Sequence, residues 1–409
     1  MSIKKYIPKF VFKVYHYVLA FVGALIYGFP SSKIKVIGIT GTNGKSTTAN
    51  ICSCILEAGG FKVAVMSSIS FKIQDEEKVN DLKMTMPGRF KIQKFLKEAV
   101  LKKCDYVIIE VTSEGVEQFR HKFINFDIAI MTNLSEEHIE SHGGFENYKK
   151  AKGKFFKAVK GIHILNKDDP YFEYFNSFLA KKKITYSILE QGDVMAFNVK
   201  VGKEDSEFEV RNMKFKTNLL GEFNVYNLLA GIALGLFCQM SLETIKKGVL
   251  NVEGISGRMQ KVIDFPFSVF IDYAFTPNAL EKVYTYLKPD IVVLGACGGG
   301  RDKWKRPVLG EIALRHAKQI IITNEDPYDE DPQAIIDEVA LKVENAIKIF
   351  DRREAIFKAL LLAEKGDVVV ITGKGSETCI AWENGRREDW NEKQVVLEEF
   401  EKIKRLEKN

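Results

Sequence analysis

Cysteine is scarce in this chain and shows no pairing. The six thiols of the 409 residues, Cys52, Cys54, Cys104, Cys238, Cys297 and Cys379, lack the paired spacing of a zinc site or of a small disulfide scaffold. They are expected to be reduced, buried thiols of a cytosolic protein without zinc. An excess of one charge is also lacking. The net charge is +6 from 60 basic and 54 acidic residues, and no dense basic stripe with interleaved aromatics makes a case for nucleic acid. The mild positive balance suits an anionic ligand such as a nucleotide. Repeats, low-complexity tracts and long disordered linkers are absent. With 46% hydrophobic and 28% charged residues the composition is that of a globular protein, long enough for two or three domains.

Long apolar runs are missing except at the N-terminus. Residues 10–29 are almost wholly apolar, broken only by Lys13 and His16, with Lys4, Lys5 and Lys9 ahead of them. No small-residue cleavage site follows, which argues against a removed signal peptide. The uninterrupted part, residues 17–29, is too short to span a bilayer. Residues 1–32 are therefore read as an apolar helix that docks on the body or lies at the membrane interface, with a true span as the alternative.

What is present begins at residue 38. Gly38-Ile39-Thr40-Gly41-Thr42-Asn43-Gly44-Lys45-Ser46-Thr47-Thr48 follows an apolar strand and opens a helix. Ile39 occupies the place of the first glycine of the usual phosphate loop, so the signature is the narrower Gly-Thr-Asn-Gly-Lys-Ser. Backbone N–H groups from Gly41, Thr42, Asn43, Gly44 and Thr47 would converge on phosphates, Lys45 adds a positive charge, and the Ser46 hydroxyl can reach Mg²⁺.

Around this loop, short β-rich runs at residues 33–40, 62–66, 105–110, 127–133 and 161–166 alternate with helical stretches. Runs apolar on both faces predict a largely parallel sheet covered by helices. Alternating segments between residues 198 and 220 predict a small antiparallel sheet. The strand–helix alternation restarts at 267–273, 290–295, 319–323, 347–351 and 367–372, which predicts a second α/β domain. The expected domains are 1–32, 33–255 and 256–409. Glu110 ends a strand, where ligands of a parallel sheet gather, and its carboxylate is suited to Mg²⁺. His138, in an acidic loop after another strand, is a candidate for the same metal site.

Several further motifs occur in a fixed order. They are Thr85-Met86-Pro87, Glu110-Val111-Thr112-Ser113, residues 132–143, residues 148–156 with Lys152, and Gly221-Glu222-Phe223-Asn224-Val225-Tyr226-Asn227. The series continues with Gly257-Arg258-Met259, Asp272-Tyr273-Ala274, Gly298-Gly299-Gly300-Arg301-Asp302-Lys303, Asp326-Pro327 and Gly373-Lys374-Gly375-Ser376-Glu377. With the phosphate loop, this series over residues 33–400 resembles the Mur ligases, most closely the MurE branch that adds the third residue of the peptidoglycan stem peptide.

The resemblance implies a P-loop-type, mostly parallel ATPase domain with a small antiparallel sheet, followed by a Rossmann-like α/β C-terminal domain. It implies an ATP-dependent amide ligase in which a substrate carboxylate takes the γ-phosphate of ATP and an amine then displaces phosphate. Lys45 and two Mg²⁺ ions would offset the repulsion between the reacting anions. Ser46 and Glu110 match ligands of one metal, Glu110 and His138 of the other. Lys152 matches the lysine that takes up CO₂ as a carbamate; by composition alone it is one more solvated lysine. Asn224, Asn227, Arg258 and Asp272 match nucleotide contacts. Thr85, Ser113, Gln118 and Arg120 match the acceptor region. Arg301, Asp326, Tyr328, Gly373 and Glu377 match the site of the incoming amino acid, Arg301 pairing with its α-carboxylate and Glu377 with a distal amine. Closure of the second domain is expected to bring amine to acyl phosphate.

Three departures qualify this expectation. Only about 32 residues precede the first strand, so the family's N-terminal uridine-diphosphate domain is read as absent, with the acceptor presented by a partner or linked to lipid. Glu325-Asp326-Pro327-Tyr328 replaces the Asp-Asn-Pro-Arg of diaminopimelate-adding enzymes, which makes lysine or another amino acid a candidate. Glu114, Phe275 and Ser376 stand where histidines are common. The expected partners are thus a muropeptide or UDP-muramyl-peptide acceptor and a free amino acid, with peripheral membrane contact through residues 10–29. Alternatives are a Mur-type ligase for another carboxylate, lipid-linked or folylpolyglutamate-like, and a membrane-tethered nucleotide-binding scaffold. The retained Lys45, Glu110, His138 and Lys152 argue against a scaffold.

Overall fold

The computed structural model describes residues 9–202 and 204–406. Their contacts form two units, one running to Glu136 and resuming over Phe145–Glu253, the other comprising Glu137–Gly144 and the chain from Gly254.

The first unit is built on nine strands, β1 (Lys35–Thr40), β2 (Val63–Met66), β3 (Ser70–Ile73), β4 (Glu76–Val79), β5 (Tyr106–Glu110), β6 (Ile128–Met131), β7 (Ile162–Asn166), β8 (Lys182–Ser187) and β9 (Val194–Met195). Their order is β4-β3-β2-β5-β1-β6-β7-β8-β9. All neighbours pair parallel except β2–β3 and β3–β4, which make an antiparallel flap at one edge. Because helices cover both faces, the central strands are apolar throughout rather than alternating: Val36, Ile37, Ile39, Val107, Ile108 and Ile109 are all fully buried. Gly38 sits in β1 because the aromatic layer closes over it. A Cβ there would lie 2.3 Å from the Phe155 ring and 2.9 Å from that of Phe126.

The N-terminal helix Lys9–Tyr27 packs on the helix Arg89–Leu101. Small residues permit the close approach: Ala20 and Ala24 are buried, and a Cβ on Gly23 would stand 3.8 Å from the Arg89 backbone. Tyr17 meets Phe119 and Phe123 edge-on at 5.9 and 5.1 Å, and Phe21 meets Phe123 at 5.4 Å. Among the described residues no helix is long and apolar enough to cross a membrane. Strands β10 (Phe197–Val201), β11 (Ser206–Val210) and β12 (Met213–Thr217) form the antiparallel sheet, with Phe208 and Phe215 stacked across the register at 5.4 Å.

The second unit carries β13 (Gln260–Ile263), β14 (Ser268–Asp272), β15 (Ile291–Leu294), β16 (Gln319–Ile322), β17 (Ile347–Lys348) and β18 (Val368–Thr372), ordered β13-β14-β18-β15-β16-β17. Only β13–β14 is antiparallel. A short ribbon, β19 (Cys379–Ala381) and β20 (Arg387–Asp389), follows. The segment Glu137–Gly144 joins this unit through its backbone: the Ile139 and Glu140 N–H groups donate to the Asp302 carboxylate at 3.1 and 2.8 Å. A buried ion pair, Lys305 to Glu137 at 2.8 Å, adds to it.

A second buried pair locks the strand ends. Arg352 is held by Glu392, and its guanidinium also donates to the Thr372 carbonyl at 2.8 Å and the Asn324 carbonyl at 3.3 Å. Removing one partner of a buried pair leaves an uncompensated charge. Glu392→Gln is therefore expected to lower the stability of the full chain by about 3–5 kcal/mol in urea unfolding. A change below about 1 kcal/mol would show that Arg352 is solvated in the mutant.

Candidate active site

The phosphate loop lies at the carboxyl end of β1, the middle strand of its sheet, where crossovers leave a crevice. Two glycines make its path. Gly41 has φ 151° and a Cβ there would fall 1.8 Å from Thr132 Oγ1; Gly44 has φ 81° and a Cβ there would fall 2.4 Å from Asn227 Oδ1. The strand β6 extends into residues that grip the loop. The Thr42 N–H donates to the Asn133 carbonyl at 2.8 Å, the Asn43 N–H to Asn133 Oδ1 at 3.0 Å, and the Thr132 hydroxyl to the Asn43 carbonyl at 2.7 Å. Thr42 Oγ1 also lies 3.1 Å from the Tyr148 hydroxyl. Gly44 caps the 14-residue helix Lys45–Ala58, whose first turn, with Ser46 and Thr47, presents the positive end of its dipole to the loop.

Two lysines meet on one carbonyl. Lys45 Nζ donates to Gly41 O at 3.1 Å and Thr42 O at 2.9 Å, and Lys152 Nζ donates to Gly41 O at 2.7 Å. Lys152 is 2% exposed. Burial, reinforced by the neighbouring Lys45 charge, drives its amine well below the usual lysine range. This lysine is buried rather than solvated, and its charged form is disfavoured there.

Next to the loop is a site for a hard cation. Ser46 Oγ lies 2.6 Å from Ser68 Oγ, and the Ser68 N–H donates to Glu110 Oε1 at 2.8 Å. Glu110 is 1% exposed, and its Oε2 is buried without a hydrogen-bond partner. An orphaned, buried carboxylate oxygen is costly unless a cation meets it. A carboxylate and hydroxyls at a triphosphate loop are the oxygen donors that Mg²⁺ takes, so the residues fit that ion. Ser68 was missed from sequence, although its position just past β2, at the carboxyl edge of the same sheet, is a signal for it.

The acceptor candidates form a chain of contacts in the first unit. Arg120 bonds the Met86 carbonyl, next to the half-buried Thr85, and donates to Gln118 Oε1 at 2.7 Å. Arg89, not singled out from sequence, bonds the Gln118 carbonyl. Ser113 is buried at the start of the short helix Ser113–Glu117, capped by Thr112. Asn224 and Asn227, on the helix Glu222–Phe237, brace one another at 2.9 Å, and Asn227 accepts from the Thr48 hydroxyl at 3.2 Å. They thereby support the helix that carries Lys45 and Ser46.

His138 and the remaining candidates belong to the second unit. His138 has φ 56° and precedes the helical turn Ile139–His142. The Arg258 guanidinium lies over the Tyr273 ring at 4.3 Å. Asp272 accepts from the Met259 and Ala274 N–H groups, both at 2.6 Å, while burial raises its pKa against the pull of Arg258. Lys374, fully buried, bonds Asp326 at 2.9 Å, Glu377 at 2.6 Å and the Cys379 carbonyl at 2.7 Å. The two acids hold its ammonium charged and above the usual range despite burial. Tyr273 also donates to Glu377 at 3.2 Å.

Beside this triad, Glu325 Oε1 accepts from the Cys297 thiol at 2.8 Å, while Oε2 is buried without a partner. Gly373, at φ 108°, takes a backbone angle that side chains rarely adopt, and a Cβ there would fall 2.5 Å from that oxygen. The half-buried Tyr328 ring packs on Gly299, and the half-buried Arg301 donates its N–H to Gly298 O at 3.3 Å. Among the described residues, Cys297, Glu325 and Asp326 are the one group of three His, Cys or acidic residues whose ligand atoms come within 4.8 Å of each other. The result is a buried acidic cluster with Lys374 inside it. Lys374, Glu325 and Cys297 had not been assigned roles from sequence.

The sequence matches the Mur ligase middle domain over residues 39–235 and the glutamate ligase domain of Mur ligases over residues 257–375. It is 38% identical over 372 residues to the UDP-N-acetylmuramoyl-L-alanyl-D-glutamate–2,6-diaminopimelate ligase 1 of Clostridium acetobutylicum, covering 88% of this chain and 77% of that protein. It is 36% identical over 383 residues to the corresponding ligase of Geobacillus thermodenitrificans, covering 88% and 78%. A solved structure of such a diaminopimelate ligase aligns at 28% identity with TM-score 0.61 over 91% of this chain and 79% of that one. The Mycobacterium tuberculosis folylpolyglutamate synthase shares the fold at TM-score 0.71 and 16% identity, over 87% and 92%.

Two substitutions separate the loop from the cation site. Gly41→Ala is expected to abolish nucleotide binding in titration calorimetry. Ser68→Ala keeps the backbone N–H on Glu110 but removes the hydroxyl that meets Ser46, and is expected to preserve nucleotide binding and raise the Mg²⁺ concentration for half-maximal phosphate release about fivefold, the effect of one neutral hydrogen bond. An unchanged Mg²⁺ dependence would remove Ser68 from the cation site.

Proposed function

The chain belongs to the Mur ligase family and is an ATP-dependent amide ligase; from that premise we propose that it adds an amino acid to a UDP-N-acetylmuramyl-dipeptide or related muropeptide. The acceptor's carboxylate oxygen attacks the γ-phosphorus of ATP and ADP leaves. The amine nitrogen then attacks the resulting acyl phosphate, phosphate leaves, and an amide and a proton remain. The observation that carries the reading is the convergence of Lys45 and Lys152 on Gly41 O at the mouth of a phosphate loop, beside the orphaned oxygen of Glu110.

In this reading Lys45 offsets the charge of the transferred phosphoryl group, and the first turn of its helix orients the phosphates. Ser46 and Glu110 would hold one Mg²⁺, and Glu110, His138 and Lys152 a second. Bound there, Mg²⁺ supplies neutralisation of phosphate charge. Lys152 is read as the site of CO₂ addition. Its neutral amine attacks CO₂ and loses a proton, so a cation that burial and Lys45 disfavour becomes an anion that Lys45 favours. Asn224, Asn227, Arg258 and Asp272 are assigned to the nucleotide, and Thr85, Ser113, Gln118 and Arg120 to the acceptor.

Arg301, Asp326, Tyr328, Gly373 and Glu377 are assigned to the amino acid. The relatives are named for 2,6-diaminopimelate, which carries two amines. Here the acids around Lys374 favour an amine-bearing side chain, while Tyr328 offers no positive charge to a distal carboxylate. Lysine is therefore the second candidate beside diaminopimelate.

The test is phosphate release from ATP with UDP-N-acetylmuramyl-L-alanyl-D-glutamate over a panel of amino acids. Release that depends on both acceptor and amino acid is expected; release that never depends on an acceptor would overturn the ligase reading. Lys152→Ala is expected to cut turnover by at least a factor of about a hundred, with no rescue by bicarbonate. In the wild type, a ¹³CO₂ carbamate resonance is expected that fades as pH falls through the lowered pKa of Lys152, because protonation removes the attacking lone pair. Near-normal turnover of Lys152→Ala would refute the role.

A further inference from the structure

The helix Lys9–Tyr27 is apolar on both sides, and only one side is used. Its packed side presents Ala20, Gly23 and Ala24 to the body. The other side carries the exposed Val11, Val14, Val18 and Leu25, with the half-buried Val22 between them, at the three- and four-residue spacing of a single helical stripe. Val14 and Leu25 are each 56% exposed and the adjoining Ile26 64%. A stripe of this kind left bare to water marks an interaction surface.

The surrounding charge identifies the occupant. No acidic residue occurs in residues 11–56, whereas Lys13 lies in the helix and Lys33 and Lys35 shortly after it. The helix Arg89–Leu101 beneath it brings Arg89, Lys91, Lys94 and Lys97 against one acid, Glu98. A second copy of this chain would set like charge against like. An apolar stripe within basic surroundings is complementary to the headgroup and upper acyl region of an anionic bilayer. The helix is not long and apolar enough to cross it.

We propose that this bare face is a docking surface for anionic lipid, on which the protein lies peripherally. The packed side of the same helix touches Phe119 and Phe123, in the turn that carries Gln118 and Arg120. If the acceptor assignment made above holds, and this consequence rests on it, docking brings the acceptor contacts within about one helix diameter of the headgroups, where a lipid-linked carboxylate would be presented.

The test uses the full chain, without ATP or acceptor, in co-sedimentation with phosphatidylcholine vesicles with and without phosphatidylglycerol. Binding is expected with the anionic vesicles, weakened by salt. Lys13→Gln should lower the partition coefficient about fivefold, one surface lysine's share. Val18→Glu combined with Leu25→Glu should reduce it to the level of neutral vesicles while the melting temperature and ATP affinity stay unchanged. Equal recovery in the supernatant with both vesicle types would overturn the proposal, as would light scattering showing a dimer that the double substitution dissolves. Either failure leaves the ligase reading intact, since neither substrate enters the assay.

Discussion

The carbonyl of Gly41 receives amines from both Lys45 and Lys152, and the first unit is arranged so that this close pairing of cations is tolerable. Each lysine alone would be better solvated outside. Burial and the Lys45 charge lower the pKa of Lys152, which eases the repulsion, and Lys45 finds a second acceptor in the Thr42 carbonyl. The loop that supplies those carbonyls keeps its shape because Thr132 and Asn133 bond it from β6 and because Gly41 and Gly44 adopt backbone angles that side chains would block. An anion arriving there finds charge, dipole and backbone donors already oriented, with little reorganisation left to perform.

The second unit solves the reverse problem. Three acidic side chains, Glu325, Asp326 and Glu377, are gathered near two buried cations, Lys374, which pairs with Asp326 and Glu377, and Arg352, whose charge reaches Glu325 and Asp326. Such a cluster costs desolvation that these cations offset only in part, and the unpaired oxygen of Glu325 records the remainder. One unit therefore gathers cations and backbone donors, the other buried acids with their paired cations.

Much of the fold was legible because buried parallel strands announce themselves as continuous apolar runs. The five strands expected in each α/β region and the antiparallel sheet after residue 198 all form. The flap β3–β4 was not legible: Glu76-Glu77-Lys78-Val79 is exposed throughout and has no apolar face to betray a strand. Segment 137–144 was assigned to the first domain by chain order, whereas its backbone bonds to Asp302 carry it into the second unit's contacts. Such a bond between residues more than 160 positions apart leaves no local trace.

For the site, the chain order of motifs by itself determined the chemistry class. Gly-Thr-Asn-Gly-Lys-Ser after a strand, Glu110 at a strand end and Lys152 in its helix are local patterns whose physical purpose is readable at once. Only tertiary structure decided how those groups are tuned. Ser68 bridges Ser46 and Glu110, Lys374 sits between two acids, and Lys152 is a buried amine although it stands in a run rich in lysine. The reason is physical: residue type sets what a side chain is able to do, while pKa, pairing and desolvation depend on neighbours that the chain brings together only on folding.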